Sequence, residues 1–316
     1  MIGAAPTPLS LRSFSPKGGD SDGSRKPGTS SKGIPMKIFS LCKRKAFPAP
    51  EPTDTLGYLT RFYSTRCDED SRLTSRHGQV EYMTTMRYIE RYLEPGMRVL
   101  EIGAATGRYS LALARKGYDV TAIELVQHNI DVFRKKMRPE DEVDLQQGDA
   151  LDLSRFQDNT FNMTLLLGPM YHLLAREDQS RALEEALRVT RPGGYLYVAY
   201  VLCDMAIFHN GIQGKEWLWK YLDNGQIAPE TYVFTSYPPD LFQLYRREDI
   251  LALTACLPAE RLHYVAVDCM AQLVEDALAK MTPEQFAKFM DYHYFLCERP
   301  DMAGMANHGL DILRKP

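Results

Sequence analysis

The segment Glu101-Ile102-Gly103-Ala104-Ala105-Thr106-Gly107-Arg108 alternates a carboxylate and small residues where an apolar run gives way to a helical pattern. Glycine and alanine let a backbone approach a ligand closely, and the N-terminus of the following helix offers N–H groups. A nucleotide-like ligand is implied. A dinucleotide fingerprint also puts glycines between a strand and a helix, with an acidic residue about 20 positions on. It needs G-x-G-x-x-G, however, and counted from Gly103 the last position falls on Arg108. Glu101 also stands where that fingerprint has an apolar strand residue. A carboxylate ending a buried strand needs a partner, either a ligand ammonium or a helix-terminal N–H.

The elements that must position this loop are legible on both sides of it. Between His77 and Leu93 the apolar residues Val80, Met83, Met86, Ile89, Tyr92 and Leu93 recur at helical spacing, and Pro95-Gly96 ends the pattern. Strands are then predicted at 97–102, 119–123, 143–146, 161–167 and 195–201, separated by helices at 107–116, 127–137 and 176–190. Arg191-Pro192-Gly193-Gly194 closes the last helix. Repeated β-α-β units imply an α/β fold, a doubly wound and mostly parallel sheet with ligands beyond the carboxyl ends of its strands. A helix at 248–257, a sixth strand at 262–267 and a terminal strand at 310–315 follow. Helical patterns at 270–281 and 283–297 lie between those two strands and are expected to form an inserted helical cap over the site.

In this setting Glu101-x-Gly103-x-Ala105-x-Gly107 resembles motif I of the class I S-adenosylmethionine (SAM)-dependent methyltransferases, E/D-x-G-x-G-x-G, with Ala105 in place of the middle glycine. Alanine adds a methyl where the backbone passes the cofactor. The likeness continues in register over about residues 77–201. It implies a Rossmann-like, seven-stranded sheet, SAM as cofactor, and Glu124 at the end of the second strand as the acceptor of both ribose hydroxyls. Gln147-Gly148-Asp149-Ala150 looks like the adenine-contacting segment, and the stretch from Phe161 through Leu167-Gly168-Pro169-Met170-Tyr171-His172-Leu173 looks like the fourth strand with its active-site loop. Leu187 to Leu196 is similar to the L-x-P-G-G-x-L turn into the fifth strand. The resemblance puts Leu167 beside the cofactor and Tyr171 and His172 next to the transferred methyl, as substrate lining or base. Arg76, with His77, stands where an arginine fork would steady the cofactor carboxylate.

Methyl transfer from a sulfonium has a good leaving group, so positioning and exclusion of water do most of the work. The acceptor is therefore not written in the motif. Leu167-Gly168-Pro169-Met170-Tyr171 lacks the [D/N/S]-P-P-[Y/F] of enzymes acting on exocyclic base amines, and no cysteine lies between Cys67 and Cys203 to attack a cytosine ring. No clustered Asp and Asn at the strand ends call for a metal, and none is expected. Residues 202–245 carry Trp217, Trp219, Tyr221, Tyr232, Phe234, Tyr237, Phe242 and Tyr245, expected to serve mostly as core or lid. A small-molecule methyl acceptor is the leading expectation. An RNA or protein methyltransferase, a SAM-binding regulator without turnover and an NAD-dependent reductase stand behind it.

The chain has 316 residues, 44% hydrophobic and 25% charged, with 38 basic against 41 acidic side chains and a net charge of -3. That balance gives no general attraction to a nucleic-acid backbone. Six scattered cysteines without a C-x-x-C pair point to a reducing cytoplasm rather than a disulfide framework. No apolar run reaches the roughly 18 residues of a membrane span, and no signal-peptide core is evident. Residues 1–35, rich in Gly, Ser, Pro and Lys, read as a disordered tail, with Met36 as an alternative start and Lys43-Arg44-Lys45 as a solvated charge patch. The expected organisation is tail 1–35, a helical or irregular segment 36–76, a SAM-binding core 77–201, and completion of the sheet with cap insertions over 202–316.

Overall fold

The computed structural model describes residues 54–213, 217–236 and 241–316, with the side chain of Trp217 excepted. The readings made for the tail, Met36, the Lys43-Arg44-Lys45 run, Cys42 and Tyr237 lie outside the described residues. The order is α1 (Thr55–Thr65), α2 (Glu69–Arg72), α3 (Arg76–Tyr92), β1 (Arg98–Ile102), α4 (Arg108–Ala114), β2 (Asp119–Glu124), α5 (Gln127–Lys136), β3 (Val143–Gln147), β4 (Phe161–Leu166), a 3-10 turn (Pro169–His172), α6 (Arg176–Val189) and β5 (Thr190–Val201). It continues through α7 (Cys203–Ala206), a π-helical turn (Ile207–Gln213), α8 (Trp217–Asp223), α9 (Arg247–Thr254), β6 (Glu260–Ala266), a 3-10 turn (Ala271–Val274), α10 (Glu275–Lys280), α11 (Pro283–Leu296), a 3-10 turn (Pro300–Met302) and β7 (His308–Arg314).

Seven strands form one sheet in the order β3-β2-β1-β4-β5-β7-β6. The pairs from β3 to β5 are parallel, and β7 runs antiparallel between β5 and β6. Strand order reverses between β1 and β4, and a crevice at their carboxyl ends follows from that reversal. Val99, Leu100 and Ile102 of β1 and all six residues of β4 are buried, as strands covered on both faces require.

Local chemistry sets the helix ends. Ser75 Oγ caps α3 by accepting the Gly78 N–H at 3.2 Å, while Val80, Met86 and Ile89 line its buried face. Thr282 and Gln285 form a reciprocal capping box on α11, with Pro283 at its first position. Residues 191–194 are not a separate helix stop. Helix α6 ends at Val189, and β5 already runs from Thr190 with a shift in register against β4. The predicted helix 270–281 is broken into the 3-10 turn and α10.

The expected cap is divided. The helices between β6 and β7 pack on α3, where Ala271, Leu278, Phe286 and Met290 enclose Val80. The loop after β4 is covered instead by α1 and by Leu241 and Phe242. Of the aromatic residues expected as packing, Phe234 and Tyr245 are buried, but Trp219 and Tyr232 are about half exposed. Among the described residues no helix is long and apolar enough to cross a membrane.

Candidate active site

Each strand of the parallel half delivers its residues to the crevice within a few positions of its end. After β1 the chain turns at Gly103 (φ +76°), Ala105 (φ +47°) and Gly107 (φ +81°) before entering α4. Protein packing already demands two of these residues. A Cβ on Gly103 would lie 2.6 Å from Pro169 Cδ, and one on Gly107 would lie 2.5 Å from the Phe133 ring of α5. Ala105 departs from glycine chiefly through its left-handed backbone, a strain of about 1–2 kcal/mol for an L-residue, more than through an added methyl.

Two buried carboxylates hold the turn. Glu101 accepts the Ser110 N–H at 2.9 Å and the Ser110 hydroxyl, so its partner is a helix-terminal N–H. Burial pushes the Glu101 carboxyl up to about 8 against the pull of the Ser110 hydroxyl and amide. Glu124 accepts the Ala105 N–H at 2.8 Å through one oxygen, and the Val126 N–H at 2.9 Å and Asn129 Nδ2 at 3.2 Å through the other. Burial raises its pKa as well, against those donors. Some N–H groups expected to face a ligand are thus engaged by the protein's own carboxylates.

The loop after β3 joins this group through the Gly148 N–H, which donates to the Glu124 carbonyl at 3.1 Å. Asp149 Oδ1 accepts the Leu151 N–H at 2.9 Å, shaping the turn that buries Ala150. After β4, Leu167 accepts from the Tyr171 hydroxyl at 3.1 Å, and Pro169 abuts Gly103. Tyr171 stacks on Phe242 with centroids 5.9 Å apart, and His172 sits edge-on to Tyr63. With Phe62 against Phe242 these side chains make an aromatic box.

Hydrogen bonds fix the His172 tautomer. Its Nδ1 lies 2.9 Å from the Leu241 carbonyl, which only accepts, so Nδ1 carries the proton and Nε2 accepts from the Tyr63 hydroxyl at 2.7 Å. Burial pushes the His172 pKa down to about 4 and raises that of Tyr63 well above its ordinary value. His172 therefore meets its surroundings through Tyr63. A cleft of about 320 Å³ runs between Tyr63, Glu69 and Asp70 on one side and Thr106, Asn129 and Val132 on the other.

Arg76 does not join this group; its guanidinium lies over the Phe286 ring at 4.6 Å. The arginine within electrostatic reach of Tyr171 is Arg72, which sequence reading missed. Burial works against its charge, but Glu69 at 2.8 Å and Glu81 at 2.7 Å hold it. Tyr63 comes from α1, and Glu69 and Arg72 from the four-residue α2; their only sequence signal was a helical trend from about Tyr58. Asp268 after β6, His308 at the start of β7 and Glu81 of α3 meet, brought together from three distant parts of the chain.

Residues 100–198 match the family model described as a methyltransferase domain. Over 105 residues the chain is 39% identical to a demethylmenaquinone methyltransferase of Renibacterium salmoninarum, covering 33% of this chain and 41% of that protein. A ubiquinone biosynthesis O-methyltransferase of Methylocella silvestris is 30% identical over 154 residues, covering 48% and 58%. The chain thus spans about half the length of these relatives. A solved SAM-dependent methyltransferase from Thermotoga maritima shares the fold with a TM-score of 0.51 at 19% identity, covering 82% of this chain and 99% of that one. Residues 100–198 are thus similar to a methyltransferase domain, and the sheet order has the Rossmann-like methyltransferase fold.

Proposed function

We propose that the protein transfers a methyl group from SAM to a small aromatic acceptor by in-line displacement. The observation that carries this reading is the box of Phe62, Tyr63, Tyr171, His172 and Phe242, built around the turn that abuts Gly103. Flat rings that carry the Tyr63 hydroxyl beside His172 suit a planar acceptor with a polar edge. The relatives named for quinone biosynthesis support the same class. When bound, SAM supplies an electrophilic methyl on a sulfonium.

The residues present fit that cofactor. Glu124 has three donors and about four acceptor positions, so ribose hydroxyls can share it or displace Asn129, its longest contact. Asp149 and Ala150 border the adenine position, Gly103, Ala105, Gly107 and Leu167 shape the backbone beside the methionyl part, and Glu101 holds the turn through Ser110. Arg72, within electrostatic reach of Tyr171, takes the place expected of Arg76. For a hydroxyl acceptor, the Tyr63 oxygen takes the acceptor proton as its own moves to His172 Nε2. Tyr171, whose hydroxyl donates to Leu167, lines the acceptor.

Thermal shift with SAM, its demethylated product and NAD tests the cofactor. A ligand at 100-fold excess over Kd stabilises by about 2.7 kcal/mol, and a shift with NAD alone would remove the reading. Methyl-labelled SAM offered with hydroquinones and phenols tests the acceptor class. Label appearing only in RNA or protein would replace it, and tight SAM binding without any transfer would favour a regulator. Tyr63→Phe should lower kcat more than it raises KM.

A further inference from the structure

Outside the aromatic box, the carboxyl end of the sheet carries a second polar assembly. Glu81 projects from α3, Asp268 leaves β6 and His308 opens β7, and one ligand atom from each lies within 4.8 Å of the others. His308 Nδ1 is 2.9 Å from Asp268 Oδ2 and 3.4 Å from Glu81 Oε2. Ligands about 2.0–2.2 Å from a shared metal ion stand roughly 3.0–3.5 Å apart at tetrahedral or octahedral angles, close to these separations. Asp268 is fixed by accepting the Asn307 N–H at 2.9 Å and the His308 N–H at 3.1 Å.

A second observation points to a missing ligand. His209, in the π-helical turn, is 4% exposed, and neither ring nitrogen has a partner at hydrogen-bonding geometry, although Gln213 comes near. Its ring lies within electrostatic reach of His77 and Glu275. Those two pair at 3.3 Å, and His77 is one turn before Glu81 on the same face of α3. The Gln272 side-chain oxygen, four residues after Asp268, is also buried without a partner. A buried imidazole without a partner is costly, and a bound group would offset that cost.

We propose that Glu81, Asp268 and His308 form a binding site for one divalent first-row transition-metal ion, bordered by His77, which in turn lies within electrostatic reach of His209. Imidazole and carboxylate ligands in this mixture suit such an ion better than calcium, which takes oxygen alone. Arg72 shares Glu81 Oε2, but its Nε keeps Glu69 at 2.8 Å, so Glu81 can turn toward the ion without stranding the guanidinium. The site is independent of the methyl-transfer reading, because its readout is metal content.

The test uses the full chain, stripped with a chelator and then dialysed against Zn2+ or Mn2+. One equivalent bound, with a raised Tm, is expected, and Asp268→Asn and His308→Ala should each weaken binding about tenfold or more. Circular dichroism checks that these variants fold, and Glu81→Gln serves as a milder second variant. A Co2+ form should lack the sulfur charge-transfer band that a cysteine site would produce. No binding of either metal, binding unchanged in all three variants, or a sulfur band would overturn the proposal.

Discussion

The two halves of the sheet build their functional ends by different means. In the parallel half, Glu101, Glu124, Asp149 and Leu167 sit at or within two residues of a strand end, and neighbouring strands bring them side by side. Beyond β5, Asp268 and His308 meet Glu81 of α3 only through an antiparallel strand and tertiary packing. The first arrangement is specified by local sequence, with Glu101 and Glu124 accepting from amides nearby in the chain. The second is specified by tertiary packing, with Asp268 accepting from amides distant in the chain.

Substitutions can break that contrast. The largest effect is expected for Gly103→Val, which adds a Cβ 2.6 Å from Pro169 at a left-handed backbone position. Overpacking and strain together should cost about 3 kcal/mol or more in urea unfolding. Asp268→Asn keeps an oxygen for its two N–H donors and should cost about 1–2 kcal/mol. The reverse order would mean that the parallel-half turn yields more easily than the side-chain assembly.

An intermediate effect concerns pH. Folded Glu101 holds its proton up to about pH 8, whereas an ordinary glutamate releases it near 4.5. Stability should therefore fall as pH rises through 4.5–8, by at most about 1.4 kcal/mol per unit, and Glu101→Gln should flatten that decline. His172 acts oppositely. Its folded pKa of about 4 lies below the ordinary 6.5, so stability is lost as pH falls from 6.5 toward 4. Between pH 6.5 and 8 only the Glu101 contribution of this pair remains, and a Glu101→Gln protein whose Tm profile there matches the parent would show that folded Glu101 is charged. The smallest effect is a gain: Ala105→Gly should relieve the left-handed strain and stabilise by up to about 1 kcal/mol, after glycine's greater chain entropy is subtracted. Equilibrium unfolding that finds a loss would place the strain elsewhere.

What was legible in the sequence follows the same division. Strands β1 to β4 and helices α3 to α6 fall within two residues of their expected bounds, because buried parallel strands and amphipathic helices have strong periods. The carboxylates at the strand ends were found because a motif fixes their distance from those strands. Arg72 was missed because a four-residue helix carries little periodicity, Tyr63 because no motif marks α1, and Arg76 was preferred over Arg72 because sequence gives no direction to a side chain at a helix start. Glu81, Asp268 and His308 had no shared spacing at all. Their proximity depends on where β7 enters the sheet.

That last strand has a consequence for the order of assembly. In this sheet β6 pairs only with β7, and β7 arrives some forty residues later to slot between β5 and β6. Until it does, β6 has no neighbour, the Arg261–Asp311 ion pair at 2.6 Å is unmade, and Asp268 lacks the two amides that orient it. Lys315 then fastens the arrangement by donating to the carbonyls of Leu187 and Thr190 at the junction of α6 and β5. A growing chain can complete the β1–β5 ladders early, while β6 waits for the strand that locks it in place.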